Sequence, residues 1–235
     1  MKRKLKLRKF LPAYLFVFGL SLLVTVFGSR IVTVMSENTP LLGRRCIVID
    51  AGHGGVDGGA TSCTGILESN INLEIAIRLN DLLHLLGYDT HMIRTSDVSV
   101  YTEGNTIAAK KVSDLKERVR IINEKENALL ISIHQNYFYD SKYSGAQVFY
   151  SKTHDSENLA NKLQQTFLST INPDSHRQAK LATGVYLMEH ISCTGILVEC
   201  GFLSNPEEEA KLNRPEYQKN ICSVIASAVS SYIST

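Results

Sequence analysis

The sequence predicts an α/β fold: a single domain with a mostly parallel, twisted sheet flanked by helices, preceded by an N-terminal membrane-spanning or signal segment. Short β-branched, apolar runs alternate along the chain with longer amphipathic stretches, the order that builds parallel sheets. The first run ends in a glycine-rich turn and then a helix, giving strand, loop, helix. Residues 10–29 form an uncharged apolar stretch ahead of all of these.

That stretch is about as long as a helix needs to cross a bilayer. Lys2, Arg3, Lys4, Lys6, Arg8 and Lys9 precede it, so the positive-inside bias keeps the N-terminus in the cytoplasm and sends the rest outside. Gly28-Ser29 makes a poor cleavage site, which favours an anchor over a removed signal peptide. Residues 1–29 are therefore read as a basic stub with an anchor or signal, and residues 30–44, with Ser36, Asn38, Pro40 and Gly43, as a linker. The globular domain is residues 45–235.

In that domain CIVID (Cys46 to Asp50) reads as a strand. The stretch from Glu68 to Gly87 carries apolar residues at helical spacing with Gly87 as its stop. YDTHMI follows as a strand, DLKERVRIINEKEN as an amphipathic helix and ALLISI as a buried strand. AQVFY, a helix from Ser156 to Thr170, the strand GILVE and a helix from Pro215 to Ile233 complete the order. The polar excursion from Thr95 to Val112 is open to two readings, a rim loop of a site or an ordinary surface loop.

With 235 residues, 44% of them hydrophobic, the chain can bury one good-sized core. Without the six basic residues of the N-terminal stub, 19 Lys and Arg face 23 Asp and Glu, which argues against a nucleic-acid partner. The five cysteines, Cys46, Cys63, Cys193, Cys200 and Cys222, are odd in number and contain no Cys-x-x-Cys pair. Neither a disulfide framework nor a zinc-thiolate site is indicated. Most are expected buried and reduced, with one bridge through Cys63 or Cys193 left open.

Three apolar strands run into residues able to bind metal or move protons: CIVID into His53, ALLISI into His134, GILV into Glu199. In an open α/β sheet reactive groups gather beyond the carboxyl ends of parallel strands. Glu68 opens the first long helix, where the dipole favours a carboxylate and the same crevice is in reach. Two imidazoles and a carboxylate are a catalytic zinc set, with a fourth position left for water. His53, Glu68 and His134 supply it, and Glu199 is the proton carrier.

Each residue also has a plainer reading. His53 could be a turn histidine among glycines, Glu68 a helix-start carboxylate, and His134 a strand-end histidine bonded to a carbonyl. Glu199 sits between Val198 and Cys200, where an unpaired carboxylate is costly to bury, so its functional reading is the stronger. The turn from Gly52 to Gly58 fits neither the dinucleotide nor the Walker pattern, which argues against nucleotide binding. A glycosidase using Glu68 and Glu199 would leave both histidines unexplained. His84, His91, His154, His176 and His190 show no paired metal spacing.

Together IVIDAGHGGVDGGA, ESNINLEIAIRLNDLL, LKERVRIIN, ISIHQN, SGAQVFY and LVECGFLSNPEE resemble the zinc-dependent N-acetylmuramoyl-L-alanine amidase family from Arg45 onward. The resemblance implies one zinc ion on His53, Glu68 and His134, a catalytic Glu199, and hydrolysis of the amide between N-acetylmuramic acid and L-alanine in peptidoglycan. Gln135 and Asn136, next to His134 in sequence, are candidates to lie beside the substrate. The chain departs from the pattern at Ala51, where proline is usual, and at Gln135; both leave the ligands intact. SGAQ, GVYLM and GFLSNP look most like the spore-cortex, germination-specific subgroup. That implies an extracytoplasmic enzyme, anchored or secreted and facing the cortex space. It would work with a muramic acid deacetylase toward muramic-δ-lactam, with an accessory sporulation protein as a further partner. A vegetative amidase of division or autolysis and a non-catalytic peptidoglycan-binding module are the alternatives.

Overall fold

The computed structural model describes residues 45–234. Six strands make one sheet: β1 Cys46–Ala51, β2 Asp89–Met92, β3 Ala128–Asn136, β4 Gln147–Tyr150, β5 Lys180–Leu181 and β6 Thr194–Phe202. Their order is β2-β1-β3-β6-β4-β5. The helices are α1 Glu68–Leu85, α2 Ile107–Asn123, α3 Ser156–Thr170, α4 Tyr186–His190, α5 Pro206–Leu212 and α6 Pro215–Ile233. β2, β1, β3 and β6 run parallel, whereas β4 is antiparallel to β6 and parallel to β5. The sheet is thus mixed rather than uniformly parallel.

Strand alternation sorts the side chains onto two faces. Ile47, Ile49 and Ala51 of β1, Leu129, Ile131 and Ile133 of β3, and Ile196 and Val198 of β6 pack against α1, α3 and α6 in the larger core. Val48, Leu130 and Leu197 point the other way, into a smaller core with Ile122 of α2 and Leu187 and Met188 of α4. Continuing by twos along that second face gives Asp50 on β1, Ser132 and then His134 on β3, and Glu199 on β6. Polar chemistry therefore occupies the thinly covered face, beyond the end of its apolar core.

α2 begins seven residues before the expected DLKERVRIIN segment. Thr106 Oγ1 accepts from Ala109 N at 3.1 Å and caps it. Ile107 and Val112 are exposed, so the first turns carry no apolar stripe to betray them. α4, α5 and β5 went unread because five, seven and two residues are too short for periodicity. α5 had another signal: Asn205 caps it, accepting from Glu207 N and Glu208 N, with Pro206 in the first turn.

All five cysteines are free. The expectation that most are buried is corrected, since only Cys200 and Cys222 are, while Cys63 is exposed on its loop. Among the described residues no helix is long and apolar enough to cross a membrane. The segment 10–29 and the linker 30–44 lie outside the described residues.

Candidate metal centre and active site

The glycine-rich turn after β1 carries His53 in a left-handed conformation, φ 63°. That conformation is held from several sides. Arg94 donates from Nε to Ala51 O at 2.8 Å and from Nη2 to Gly52 O at 3.0 Å and Ser69 O at 2.9 Å. Arg118 donates from Nη1 to Ala51 O at 3.0 Å and from Nη2 to His53 O at 2.6 Å. Both arginines are 2% exposed, so these charged bonds form away from water, where they hold geometry firmly. Arg118 also pairs with Asp50, which accepts from Ser132 Oγ at 2.6 Å. The Thr95 excursion braces the turn as well: Asp97 Oδ1 accepts from Gly55 N at 2.9 Å, and Ser99 Oγ donates to Gly54 O at 2.6 Å.

His53, Glu68 and His134 come together, each offering one ligand atom, all within 4.8 Å of one another. His53 Nε2 stands 3.3 Å from Glu68 Oε2, and His134 Nδ1 3.0 Å from Glu68 Oε1. Glu68 reaches over the strand ends from the first residue of α1. It accepts from Ala60 N at 3.0 Å, Gln135 N at 3.1 Å and Asn72 Nδ2 at 3.2 Å. Burial alone would raise its pKa, but hydrogen bonds from His134 and His53 hold it well below the usual carboxylate range. Two glycines make the space. A Cβ on Gly52 would stand 2.2 Å from His134 Nε2, and one on Gly59 2.6 Å from Glu68 Oε2.

On its far side His53 Nδ1 meets Asp57 Oδ2 at 2.8 Å, and Asp57 pairs with Lys111 Nζ at 2.7 Å. Burial works to lower the His53 pKa, but the Glu68 and Asp57 carboxylates outweigh it and raise it to about 9. A carboxylate behind a ligating imidazole fixes its tautomer and aims the other nitrogen. Two imidazoles and a carboxylate, converging with one side open, fit a catalytic zinc ion in donor type and number.

Glu199 is the register partner of His134 on β6, so the two share a face one strand apart. The residue is half-buried, yet its Oε2 is fully covered and meets no donor. Burial pushes its pKa up to about 7, and the neighbouring Glu68 charge adds to the rise while His134 and His53 oppose it. A carboxyl poised near neutrality beside a metal cradle suits proton transfer in both directions.

The structure thus gathers all four sequence-predicted residues. Asn136, at the end of β3, borders a small hollow with Phe138, Tyr143, Arg177 and Phe202. Gln135, expected beside the substrate, is 3% exposed on the opposite face, where Nε2 donates to Asn72 Oδ1 at 3.1 Å. Its part in the site is the backbone N–H that steadies Glu68. Sequence reasoning missed Asp57, Asn72, Arg94 and Arg118. Arg118 left a trace: it lies four residues before the fully buried Ile122, a charge within the buried stripe of α2.

Fold and site define a class: an open-sheet α/β domain that ends in a His-Glu-His cluster able to hold a metal ion, with a carboxyl beside it. The chain belongs to the N-acetylmuramoyl-L-alanine amidase family, whose sequence profile matches residues 47–231. It is 40% identical over 195 residues to the germination-specific N-acetylmuramoyl-L-alanine amidase of Bacillus subtilis, covering 82% of this chain and 81% of that protein. Among solved structures it is similar to the CwlD amidase of Clostridioides difficile in complex with the GerS lipoprotein. That match has TM-score 0.78 and 35% identity, over 81% of this chain and 99% of that one. It is also similar to an N-acetylmuramoyl-L-alanine amidase of Clostridium difficile 630, with TM-score 0.72 and 28% identity, over 82% and 98% of the chains.

Proposed function

We propose that this chain is a zinc-dependent N-acetylmuramoyl-L-alanine amidase that frees stem peptides from peptidoglycan. The observation that carries this is the meeting of His53, Glu68 and His134 with Glu199 one strand away on the same face. Family membership names the bond, the amide between the lactyl group of N-acetylmuramic acid and L-alanine. A zinc ion held by His53, Glu68 and His134 would supply Lewis acidity toward the carbonyl and lower the pKa of the attacking water.

The chain's own residues do the rest. His53, Glu68 and His134 hold the ion, and Asp57, Asn72 and the Gln135 N–H hold the ligands in turn. Glu199 takes a proton from the attacking water at its carboxylate and delivers it to the departing L-alanine nitrogen. Burial raises its pKa, so the carboxyl can hold a proton as well as take one, which suits both halves of that transfer. Asn136 faces the substrate side.

Likeness to the germination-specific amidase supports the finer reading: action in the spore cortex, ahead of a muramic acid deacetylase in forming muramic-δ-lactam. Residues 10–29 would anchor the chain so that the domain works outside the cytoplasm. The lipoprotein bound to the similar clostridial amidase supports an accessory partner here too.

Glu199→Gln is the direct test. The variant is expected to keep its zinc by elemental analysis while stem release from purified peptidoglycan drops about 10²- to 10⁴-fold. Full activity in that variant would remove Glu199 from the chemistry. Binding to peptidoglycan by the wild type with no stem released would favour a wall-binding module instead.

A further inference from the structure

Beyond the metal cradle the sheet continues from β6 to β4, and Glu199 stands opposite Gln147. Directly opposed residues of an antiparallel pair share a face, so His134, Glu199 and Gln147 form a row across three strands. Gln147 is buried, and its Oε1 accepts from Arg177 Nη1 at 2.8 Å. Arg177 Nε donates to Ser144 O at 2.9 Å, and the guanidinium lies 4.6 Å from the centroid of the Phe202 ring. Two hydrogen bonds and an aromatic face thus fix the fork.

Its charge is left unanswered. Among the described residues Arg177 makes no ion pair, and its Nη2 has no protein partner. Glu208, the nearest acid in influence, is engaged by Gly145 N at 2.9 Å and Phe202 N at 3.0 Å. The guanidinium borders both the hollow beside Asn136 and a cleft of about 930 Å³ of mixed charge, lined by Lys142, Lys180 and Lys211 and by Asp174 and Glu207. A half-buried arginine, pre-set in orientation and open on one edge, is built to receive a planar anion.

Two strand spacings separate β3 from β4, which puts Gln147, on whose side chain the fork rests, roughly 10 Å from His134 along the row. An extended peptide advances about 3.5 Å per residue. Two residues span about 7 Å and a hydrogen bond about 3 Å more, so a stem whose first nitrogen lies at the cradle brings the carboxyl group of its next residue within reach of the fork. In peptidoglycan the residue after L-alanine is a D-glutamate linked through its side chain, and its α-carboxylate is free unless amidated. Resting on the amidase reading, we infer that Arg177 is a specificity-determining residue that binds this α-carboxylate and distinguishes it from the amide.

The test uses the full-length, zinc-loaded chain and two muramyl tripeptides that differ only in that group, free acid or α-amide. The wild type is expected to favour the acid in kcat/KM by about 10- to 100-fold, the scale of one charge-assisted hydrogen bond. Arg177→Gln should erase the preference by slowing the acid substrate alone. Equal use of both substrates by the wild type, or a variant that slows both alike, would overturn the inference and leave the amidase reading standing.

Titration calorimetry of the chelator-treated chain with L-alanyl-D-glutamate and with its α-amide provides a second readout. If the wild type releases nothing from either tripeptide, the amidase reading fails and binding still decides. Tighter binding of the acid dipeptide, lost in Arg177→Gln, supports the role of Arg177; equal binding refutes it. Should Arg177→Gln not fold, Arg177→Lys carries the test, because it keeps the cation without the fork. A weakened preference in that variant supports the inference, and an unchanged one overturns it.

Discussion

Asp57 shows how one side chain can matter without touching the ion. It sits four residues after His53, where an aspartate among glycines reads as turn chemistry, and nothing in the spacing pairs it with the imidazole. Folding brings its Oδ2 to His53 Nδ1, with Lys111 behind. Asp57→Asn is expected to weaken zinc binding about 10- to 100-fold with the fold unchanged, measured by competition with a chromophoric chelator. An affinity equal to wild type would mean that the arginine-held backbone alone aims His53. The four central residues were legible because His53, His134 and Glu199 follow apolar runs that forecast strands, and Glu68 opens a run that forecasts a helix. Gln135 was misjudged for a related reason: the step from His134 to Gln135 crosses from one face of the sheet to the other.

At the scale of elements, α2 is tied to β1 by the buried pair of Arg118 and Asp50. Removing one partner of such a pair strands the other charge, so Asp50→Asn should destabilise the domain by about 3–5 kcal/mol in urea unfolding. The pH dependence follows from the same contact. Burial works to raise the Asp50 pKa, but Arg118 and Ser132 prevail and hold it below the ordinary value. A depressed folded-state pKa contributes stability that is present above the unfolded value, about 3.9, and is lost as pH falls through the folded one. The wild type should therefore lose stability below about pH 4 more steeply than Asp50→Asn. Parallel slopes for the two proteins would contradict this. The start of α2 was hidden in the sequence because its first turns face solvent. The antiparallel turn of β4 was hidden because strand direction depends on connections rather than on composition.

The whole molecule divides its labour between the two sides of the sheet. The larger core, under α1, α3 and α6, is apolar and owes nothing to a metal. The chelated protein is accordingly expected to keep its far-UV circular dichroism and a cooperative thermal transition, and to regain activity when zinc is returned. Collapse on chelation, as in domains whose fold is made by the metal, would contradict this. Periodicity sufficed to lay out the core, since the long helices and buried strands were readable from their apolar spacing. Short elements and buried arginines were not, because their partners are remote in sequence.

The thin covering of the second side has a further consequence. His53 and His134 keep 25% and 18% of their side chains in contact with solvent, so the cradle forms an open ledge on that side. A ledge can be approached broadside. On the amidase reading, a glycan strand resting there would need no threading from an end, so interior stems would be released as readily as terminal ones.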